Sequence, residues 1–470
     1  MAGNRELSIL QVCTSNRGGG AERVASMLTE ELQLRGYSAS LAVGFKRGDD
    51  AGVIEIPNED CRHVWARFWL GFGMAENRGG GKGGVGSRGL RLLAEPARSL
   101  RRLRGIEDFD FPGSRRLLEL PSKSPDIVHA HNLHGDYFDL RVLPVISERL
   151  CFMVTLHDQW MFSGHCAHSF DCERWRSGCG RCPDLTIYPR IRRDMTAYNW
   201  RRKREIYAAM RLYLASPSNW LLSRVYESIL APAIVEARVI RNGVDLKTYL
   251  PGDKRDARRE LGIPVGVKML LFAAQGLRTN PFKDYATLES ALTCLGEVGN
   301  QGGLLFVGLG DNGASRRMGG VELRFVPFQS SPAAVALYYQ AADIYVHAAR
   351  AEVAPLAIAE AMACGTPVVA SAVGGIPEQI KGLTWPGIRE SVAGCSCYAA
   401  TEANGLMVPT GDPHSLADAL KYLLADDDLR AQLGANASRD AAQQFDQNRQ
   451  VSDYVAWYRQ IGEVRNNGRA

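Results

Sequence analysis

Several things are scarce in this chain, and each scarcity removes a class of function. No apolar run approaches the roughly 18 to 20 residues that cross a bilayer as a helix. No basic-then-apolar leader opens the sequence, so the expected compartment is the cytoplasm, free or at the inner face of the plasma membrane. Net charge is small: 56 Lys and Arg against 51 Asp and Glu give +5, so no nucleic-acid partner is expected. The 11 cysteines are odd in number, and a disulfide framework is not expected in a reducing compartment. Cys13, Cys61, Cys151, Cys294 and Cys364 lie in or near apolar runs and read as small buried hydrophobes. The spaced dinucleotide fingerprint is also missing, because Gly18, Gly19 and Gly20 are contiguous.

What remains is an ordinary globular composition, 46% hydrophobic and 23% charged over 470 residues, enough for two or three domains. Ser8 to Thr14 reads as a buried strand, Gly18 to Gly20 as a turn, and Ala21 to Leu34 as an amphipathic helix with Val24, Met27, Leu28 and Leu32 inward. Ser40 to Val43 returns as a strand and completes a βαβ unit. Asp126 to His131 and Phe152 to His157 are further buried strands, each ending in histidine where open parallel sheets place ligand-binding residues. A second set of strands is expected from about Ala215 and Val239 onward, through Lys268 to Ala274, Gly303 to Val307, Leu323 to Phe325, Ile344 to Val346 and Pro367 to Ser371. The expected fold class is α/β, two doubly wound Rossmann-like domains of residues 1–230 and 231–439 facing a cleft, then a helical pattern over 440–470. Arg78 to Gly89 is low in complexity and reads as part of a mobile insertion at about 60–115; a second insertion is expected at 381–402.

The densest chemistry lies in 350-RAEVAPLAIAEAMACGTPVVAS-371. Pro355 suits a first helical turn, Ala357 to Ala363 favours helix, Gly365 ends it, and Pro367 leads into an apolar strand. The helix start near Pro355 and Leu356 would attract a diphosphate. Glu352 is placed to accept from sugar hydroxyls and Glu360, one turn on in the helix, to take a ribose diol; two glutamates eight apart also occur without function. Lys283, before a helix, and Arg278 are cations suited to neutralise a departing diphosphate. Gly19 and Gly20 let backbone N–H groups approach an anion. His157 and Asp158 end one strand, and His131 ends its neighbour, as candidates to orient an acceptor.

Cys166, Cys172, Cys179 and Cys182 are spaced C-x(5)-C-x(6)-C-x(2)-C, with His165 and His168 beside them. The closing pair fits half of a zinc knuckle, and the readings are a structural zinc, reduced packed thiols, or disulfides. Basic runs at 90–104 and 190–204, the latter with Lys203 and Trp200, suit solvated helix faces or anionic lipid and lipid-diphosphate contacts.

The 350–371 segment resembles the E-x(7)-E signature of glycosyltransferase family 4, through Leu356, Glu360, Ala361, Met362, Ala363, Gly365, Pro367, Val368, Val369 and Ala370. Lys283-Asp284 with Leu288, Gly19-Gly20-Ala21-Glu22, His157-Asp158 and Asn242-Gly243-Val244-Asp245 are similar to further motifs of that family. The cysteine loop, from Trp160 to Pro183, resembles that of bacterial polysaccharide glycosyltransferases of the colanic-acid type. One departure is local: Val353-Ala354-Pro355 stands where the family has Gly-Phe-Gly. The resemblance implies a GT-B fold whose C-terminal helix crosses back to the first domain. It implies a retaining hexosyltransferase that needs no metal for catalysis and moves sugar from a UDP- or GDP-linked donor to a saccharide or lipid-linked acceptor. His157, Lys283, Arg278 and Glu352 would be catalytic; Gly19, Gly20, Glu352, Leu356 and Glu360 would bind donor; His131 and Asp158 would lie on the acceptor side. The altered loop keeps an inactive nucleotide-sugar binder open, and the cysteine knuckle with its arginines keeps a zinc module for nucleic acid open.

Overall fold

The computed structural model describes residues 7–77, 92–297, 303–386 and 397–467; the run from Arg78 to Gly89 and Cys395 lie outside them. The chain divides into two compact units. One holds the chain up to Pro217, Leu221–Val239 and the segment from Asp453; the other holds Ser218–Trp220 and Ile240–Ser452.

The first unit is built on a seven-stranded parallel sheet. Its strands are β1 (Ser8–Ser15), β2 (Ser38–Phe45), β3 (Val53–Glu55), β4 (Ile127–Ala130), β5 (Cys151–Thr155), β6 (Leu212–Ser216) and β7 (Ile234–Val239), in the order β3-β2-β1-β4-β5-β6-β7. The central strands β4 and β5 are buried along their whole length, as parallel strands covered on both faces must be. Helix α1 (Gly20–Leu34) buries Ala21, Val24, Ala25, Leu28 and Leu32, while Met27 is only half-buried. Helices α2 (Val64–Asn77), α3 (Pro96–Leu103) and α4 (Thr196–Ala208) also belong to this unit. The strands expected near Ala215 and Val239 to open the second sheet are β6 and β7 of the first, so the first unit runs past residue 230 to Val239. Apolar alternation marks a strand but does not encode which sheet it joins.

The second unit carries a nine-stranded sheet. Strands β8 (Lys268–Ala273), β9 (Leu304–Leu309), β10 (Arg316–Met318), β11 (Val321–Val326), β12 (Ile344–His347), β13 (Val368–Ser371), β14 (Gly382–Leu383), β15 (Cys397–Tyr398) and β16 (Gly405–Val408) run in the order β10-β11-β9-β8-β12-β13-β16-β14-β15. All pairings are parallel except β10 with β11. The described ends of the expected 381–402 insertion form the edge pair β14 and β15. Strand order reverses direction between β8 and β12, and ligands of open α/β sheets sit at such a switch, outside the carboxyl ends of the strands. Helices α5 (Tyr285–Glu297), α6 (Pro332–Ala341) and α7 (Leu356–Ala363) surround this sheet. Phe272, Leu288, Leu292, Phe306 and Leu420 lie in its core, each fully buried and each stabilising by about 1.5–3 kcal/mol.

The helical pattern expected from Asp440 to Ile461 is two helices, α8 (Asp427–Gln444) and α9 (Gln447–Asn467). The break has a backbone cause. Val244 donates to the Phe445 carbonyl at 2.8 Å and accepts from Gln447 N at 3.1 Å, while the Asp446 carboxylate caps Asn448 N at 2.8 Å. The turn Asn242–Asp245 therefore holds the interruption between these helices. From Asp453 onward α9 is part of the first unit, where Tyr454, Trp457, Tyr458 and Ile461 are buried. The expected return of the last helix to the first domain is present.

Candidate functional site

Loops at the carboxyl ends of β8 and β12 bring the first cluster together. Lys283 follows β8 and Glu352 follows β12; Lys283 also bridges to Ala349 as an isolated β-pair. The Lys283 ammonium forms an ion pair with Glu352 Oε1, and both side chains are mostly buried. His347, the last residue of β12 and fully buried, lies 3.0 Å from the same carboxylate oxygen through Nε2. Burial first, then the Lys283 charge, pushes the His347 ring below its usual pKa, so it is neutral. A neutral ring facing a carboxylate donates from Nε2, which leaves Nδ1 to accept from the Tyr345 hydroxyl at 2.9 Å. Burial would raise the Glu352 carboxyl; the Lys283 ammonium and the His347 ring overcome it and hold the group well below the carboxylate range. Glu352 is thus a fixed anion accepting two hydrogen bonds.

The loop that carries Glu352 is seated by two glycines that sequence reading passed over. Gly374 has φ +62°, and a Cβ there would run into the Glu352 carbonyl; a Cβ at Gly375 would run into the Val353 carbonyl. Val353 itself is buried, and Pro355 (φ −65°, ψ 124°) is the N-cap of α7 rather than a residue of its first turn. Leu356 opens α7, which places its N-terminus beside this loop. Glu360 is 2% exposed and accepts from the Tyr339 hydroxyl at 3.0 Å. The Tyr339 and Tyr345 rings meet edge-on at 5.5 Å. Both glutamates are thereby backed by one aromatic wall, Tyr339–Tyr345–His347. Arg278 is held by Asp311 instead, at 2.9 Å through Nη2 and 3.1 Å through Nε, with Phe325 under its guanidinium at 4.9 Å.

In the first unit the carboxyl ends of β1, β4 and β5 adjoin. Gly19 is the N-cap of α1 and Gly20 its first residue; Glu22 leans over them, since a Cβ on Gly19 would stand 3.2 Å from its Oε2. His131 and His157 are stacked at 5.3 Å and joined at 3.0 Å, Nδ1 to Nε2. His131 Nε2 faces Gln11 Oε1 at 2.9 Å and so donates to it; Nδ1 then accepts from His157. His129 lies between the Tyr458 hydroxyl at 2.6 Å and Thr155 Oγ1 at 2.7 Å, and Thr155 meets Tyr454 at 2.7 Å. The network fastens α9 to the sheet.

Burial lowers these rings: His129 to about 3, His157 to about 4 and His131 well below its usual value, with neighbouring imidazoles adding to the shift of His129 and His131. In the unfolded chain they titrate near 6.5. Their contribution to stability is therefore complete above about pH 6.5 and is lost as pH falls toward about 4, because acid binds the unfolded state more tightly. Thermal unfolding followed from neutral pH down to about pH 4.5 should show the midpoint drop by about 5 °C or more. His129→Gln should flatten that slope; a midpoint indifferent to pH over this range contradicts the reading.

Asp158 does not reach outward for a hydroxyl. Its Oδ2 pairs with His134 Nε2 at 2.7 Å and its Oδ1 accepts from Trp160 N at 2.9 Å. Burial would raise this carboxyl, and His134 more than offsets it. His134, unremarked in the sequence, faces Tyr188 OH through Nδ1 at 3.4 Å. The spacing His131-x-x-His134 was its only local signal.

Cys166, Cys172, Cys179 and Cys182 line one small cavity with Gly164, His165 and Trp175. The described cysteines are free thiols. Gly164 N donates to Cys179 Sγ at 3.2 Å, and His165 Nε2 lies 3.4 Å from Cys182 Sγ. Among the described residues no three His, Cys, Asp or Glu side chains are arranged to hold a metal ion, so a zinc here rests on spacing and a shared cavity. Of the residues expected to be buried cysteines, Cys13, Cys151 and Cys364 are; Cys61 and Cys294 are half-buried. Lys203, read as part of a surface basic run, is fully buried. Its ammonium bonds the Trp160 carbonyl at 2.8 Å and the Ser163 carbonyl at 3.2 Å, and lies 3.0 Å from Glu107.

Comparison with known proteins decides what the second unit is. Residues 253–440 match the family described as glycosyl transferases group 1. This stretch is a group 1 glycosyl transferase domain. It contains Arg278, Lys283, Glu352, Leu356 and Glu360, with His347 and Tyr339. D-inositol 3-phosphate glycosyltransferase of Saccharomonospora viridis is 32% identical over 256 residues, 51% of this chain and 52% of that one. Escherichia coli WcaC, assigned by its name to colanic acid biosynthesis as a glycosyl transferase, is 30% identical over 134 residues, 26% of this chain and 32% of that one. The chain spans about half the length, or less, of these curated relatives. Anabaena HepE in complex with UDP-glucose superposes with a TM-score of 0.58 at 17% identity, over 96% of this chain and 100% of that one. At that identity the likeness is one of fold, and the fold is GT-B: two α/β Rossmann-like units, the second a group 1 domain.

Proposed function

We propose that the chain is a retaining hexosyltransferase that moves a sugar from a UDP- or GDP-linked donor to a saccharide or lipid-linked saccharide during cell-surface polysaccharide assembly. The observation that carries this reading is the Lys283–Glu352–His347 cluster beside the N-terminus of α7, inside a group 1 domain and at the switch point of its sheet. In this reading the donor diphosphate lies at the start of α7 near Leu356, and Lys283 neutralises it as the bond from the sugar C1 to the phosphate oxygen breaks. Arg278, pinned by Asp311, supplies a further fixed charge of the same domain. Glu352 orients the sugar and Glu360 the ribose. The acceptor oxygen bonds C1 on the face the diphosphate leaves, and its proton passes to the leaving phosphate. No side chain acts as a covalent nucleophile, and the charge neutralisation is assigned to Lys283 rather than to a metal. His157 offers its Nδ1 to an acceptor hydroxyl, His131 holds the His157 ring at Nε2, and Asp158 positions His134.

The WcaC likeness supports a polysaccharide acceptor, and the S. viridis relative supports a phosphorylated cyclitol as the second reading. Among the described residues no helix is long and apolar enough to cross a membrane, and we assign the activity to the cytoplasm at the membrane's inner face. A thermal-shift panel of UDP-, GDP- and ADP-sugars tests the donor: binding to the native state raises the midpoint with concentration. Sugar transfer then excludes an inactive binder, and a flat panel contradicts the proposal. We further propose one structural zinc in the cysteine cavity. Metal analysis of the purified protein should find one zinc per chain, lost in Cys179→Ser; four thiols that titrate without a chelator refute it.

A further inference from the structure

The proposed reaction leaves unused an apolar surface on the first unit. Val64, Trp65 and Phe68 on α2 are 74%, 56% and 56% exposed. Leu92, Leu93, Leu100 and Leu103 are exposed as well. Seven of the nineteen exposed large apolar side chains among the described residues thus fall between 64 and 103, which makes them a patch rather than the usual scatter. The two segments touch. The Trp65 indole N–H donates to the Leu93 carbonyl at 3.1 Å, which ties α2 to the segment before α3. Trp65 and Phe68 each meet the Trp69 ring edge-on, at 5.7 and 5.6 Å, so their orientation is set by packing.

Charge identifies the partner. Residues 64–70 and 92–104 hold Arg67, Arg98, Arg101, Arg102 and Arg104 against Glu95 alone; Arg98 is half-buried on Glu95 and Asp108 and Arg102 also reaches Asp108, so Arg67, Arg101, Arg102 and Arg104 are the cations at the surface. Arg67 and Arg104 are exposed. Arg101 and Arg102 reach Asp110 at 3.6 Å and Asp136 at 2.7 Å, pairs at the protein surface that water screens and that lipid phosphates can replace. Aromatic and leucine side chains bordered by arginine are the composition of a surface that lies in the headgroup region of a bilayer.

We propose that this surface rests on an anionic lipid membrane, with Trp65, Phe68 and Leu93 at the boundary of headgroups and acyl chains and Arg67, Arg101 and Arg104 on lipid phosphates. The full chain should co-sediment with phosphatidylcholine vesicles containing phosphatidylglycerol, and raised salt should weaken it. Partition onto phosphatidylcholine alone should be lower by about tenfold or more. Trp65→Ser with Phe68→Ser should lose about tenfold of the anionic-vesicle partition, and Arg101→Glu with Arg104→Glu a similar amount. Neither pair should alter the response to nucleotide sugars, because the four side chains lie outside the group 1 domain; Trp65→Ser gives up its bond to Leu93 and should lower the midpoint, whereas Phe68→Ser alone keeps that bond and should still lose partition. Equal partition of wild type and variants overturns the proposal. So does indifference to lipid charge. A concentration-dependent dimer that Trp65→Ser abolishes, with no vesicle binding, also overturns it and makes the patch a contact between two copies of the chain.

Discussion

Lys283→Ala should lower turnover by about 10²–10³-fold under saturating donor, the size expected when one preorganised group facing developing charge is removed. The same substitution should destabilise the fold, because Glu352 keeps its place in a mostly buried loop without its ammonium partner. Breaking a buried pair from one side costs about 3 kcal/mol or more. In the wild type the Glu352 carboxyl is held low, so its contribution is present above the unfolded value near 4.5 and fades only in strong acid. In Lys283→Ala that support is absent even at neutral pH. The two effects separate in the double variant Lys283→Ala with Glu352→Gln, which removes the orphaned charge. It should regain most of the lost midpoint and none of the lost turnover. A double variant that recovers both would make Lys283 a structural partner only.

Glu360→Ala should abolish measurable donor binding, with affinity for the nucleoside diphosphate falling about 100-fold. A ribose diol that loses a charged acceptor in a buried site forfeits about 1.5–3 kcal/mol, and the unpaired Tyr339 hydroxyl adds disorder to the wall behind it. Glu360→Gln keeps an acceptor for Tyr339, so its midpoint should stay near wild type while affinity still falls by about tenfold. The pair of variants therefore divides ligand recognition from support of Tyr339. Unchanged affinity in both, measured by calorimetric titration, would remove Glu360 from the site.

Legibility of this site in the sequence followed the range of the interactions. The loop, helix and strand around Glu352 and Glu360 could be read because cap, helix former, turn glycine and apolar strand stand next to one another in the chain. His347 and Tyr339 could not, since they come to the glutamates from β12 and α6 by packing. His347 nevertheless ends a buried strand, as His131 follows one, and the same rule would have found it. Lys203 carried a missed periodic signal: Thr196, Asn199, Trp200, Lys203 and Tyr207 share the buried face of α4 at helical spacing. A run of basic residues hides the one that points inward. At Arg278 the chain marks the cation but not the Asp311 carboxylate that fixes it. The affiliation of β6 and β7 with the first sheet depended on partners far away in sequence.

The central claim is that the second unit holds a nucleoside diphosphate sugar on Lys283, Glu352, Glu360 and the start of α7. Equilibrium titration of the donor that gives the largest thermal shift, into wild type, Lys283→Ala and Glu360→Gln, tests it most directly. The account predicts saturable binding to wild type and a loss of about tenfold or more in each variant. Equal affinity across all three proteins would contradict it.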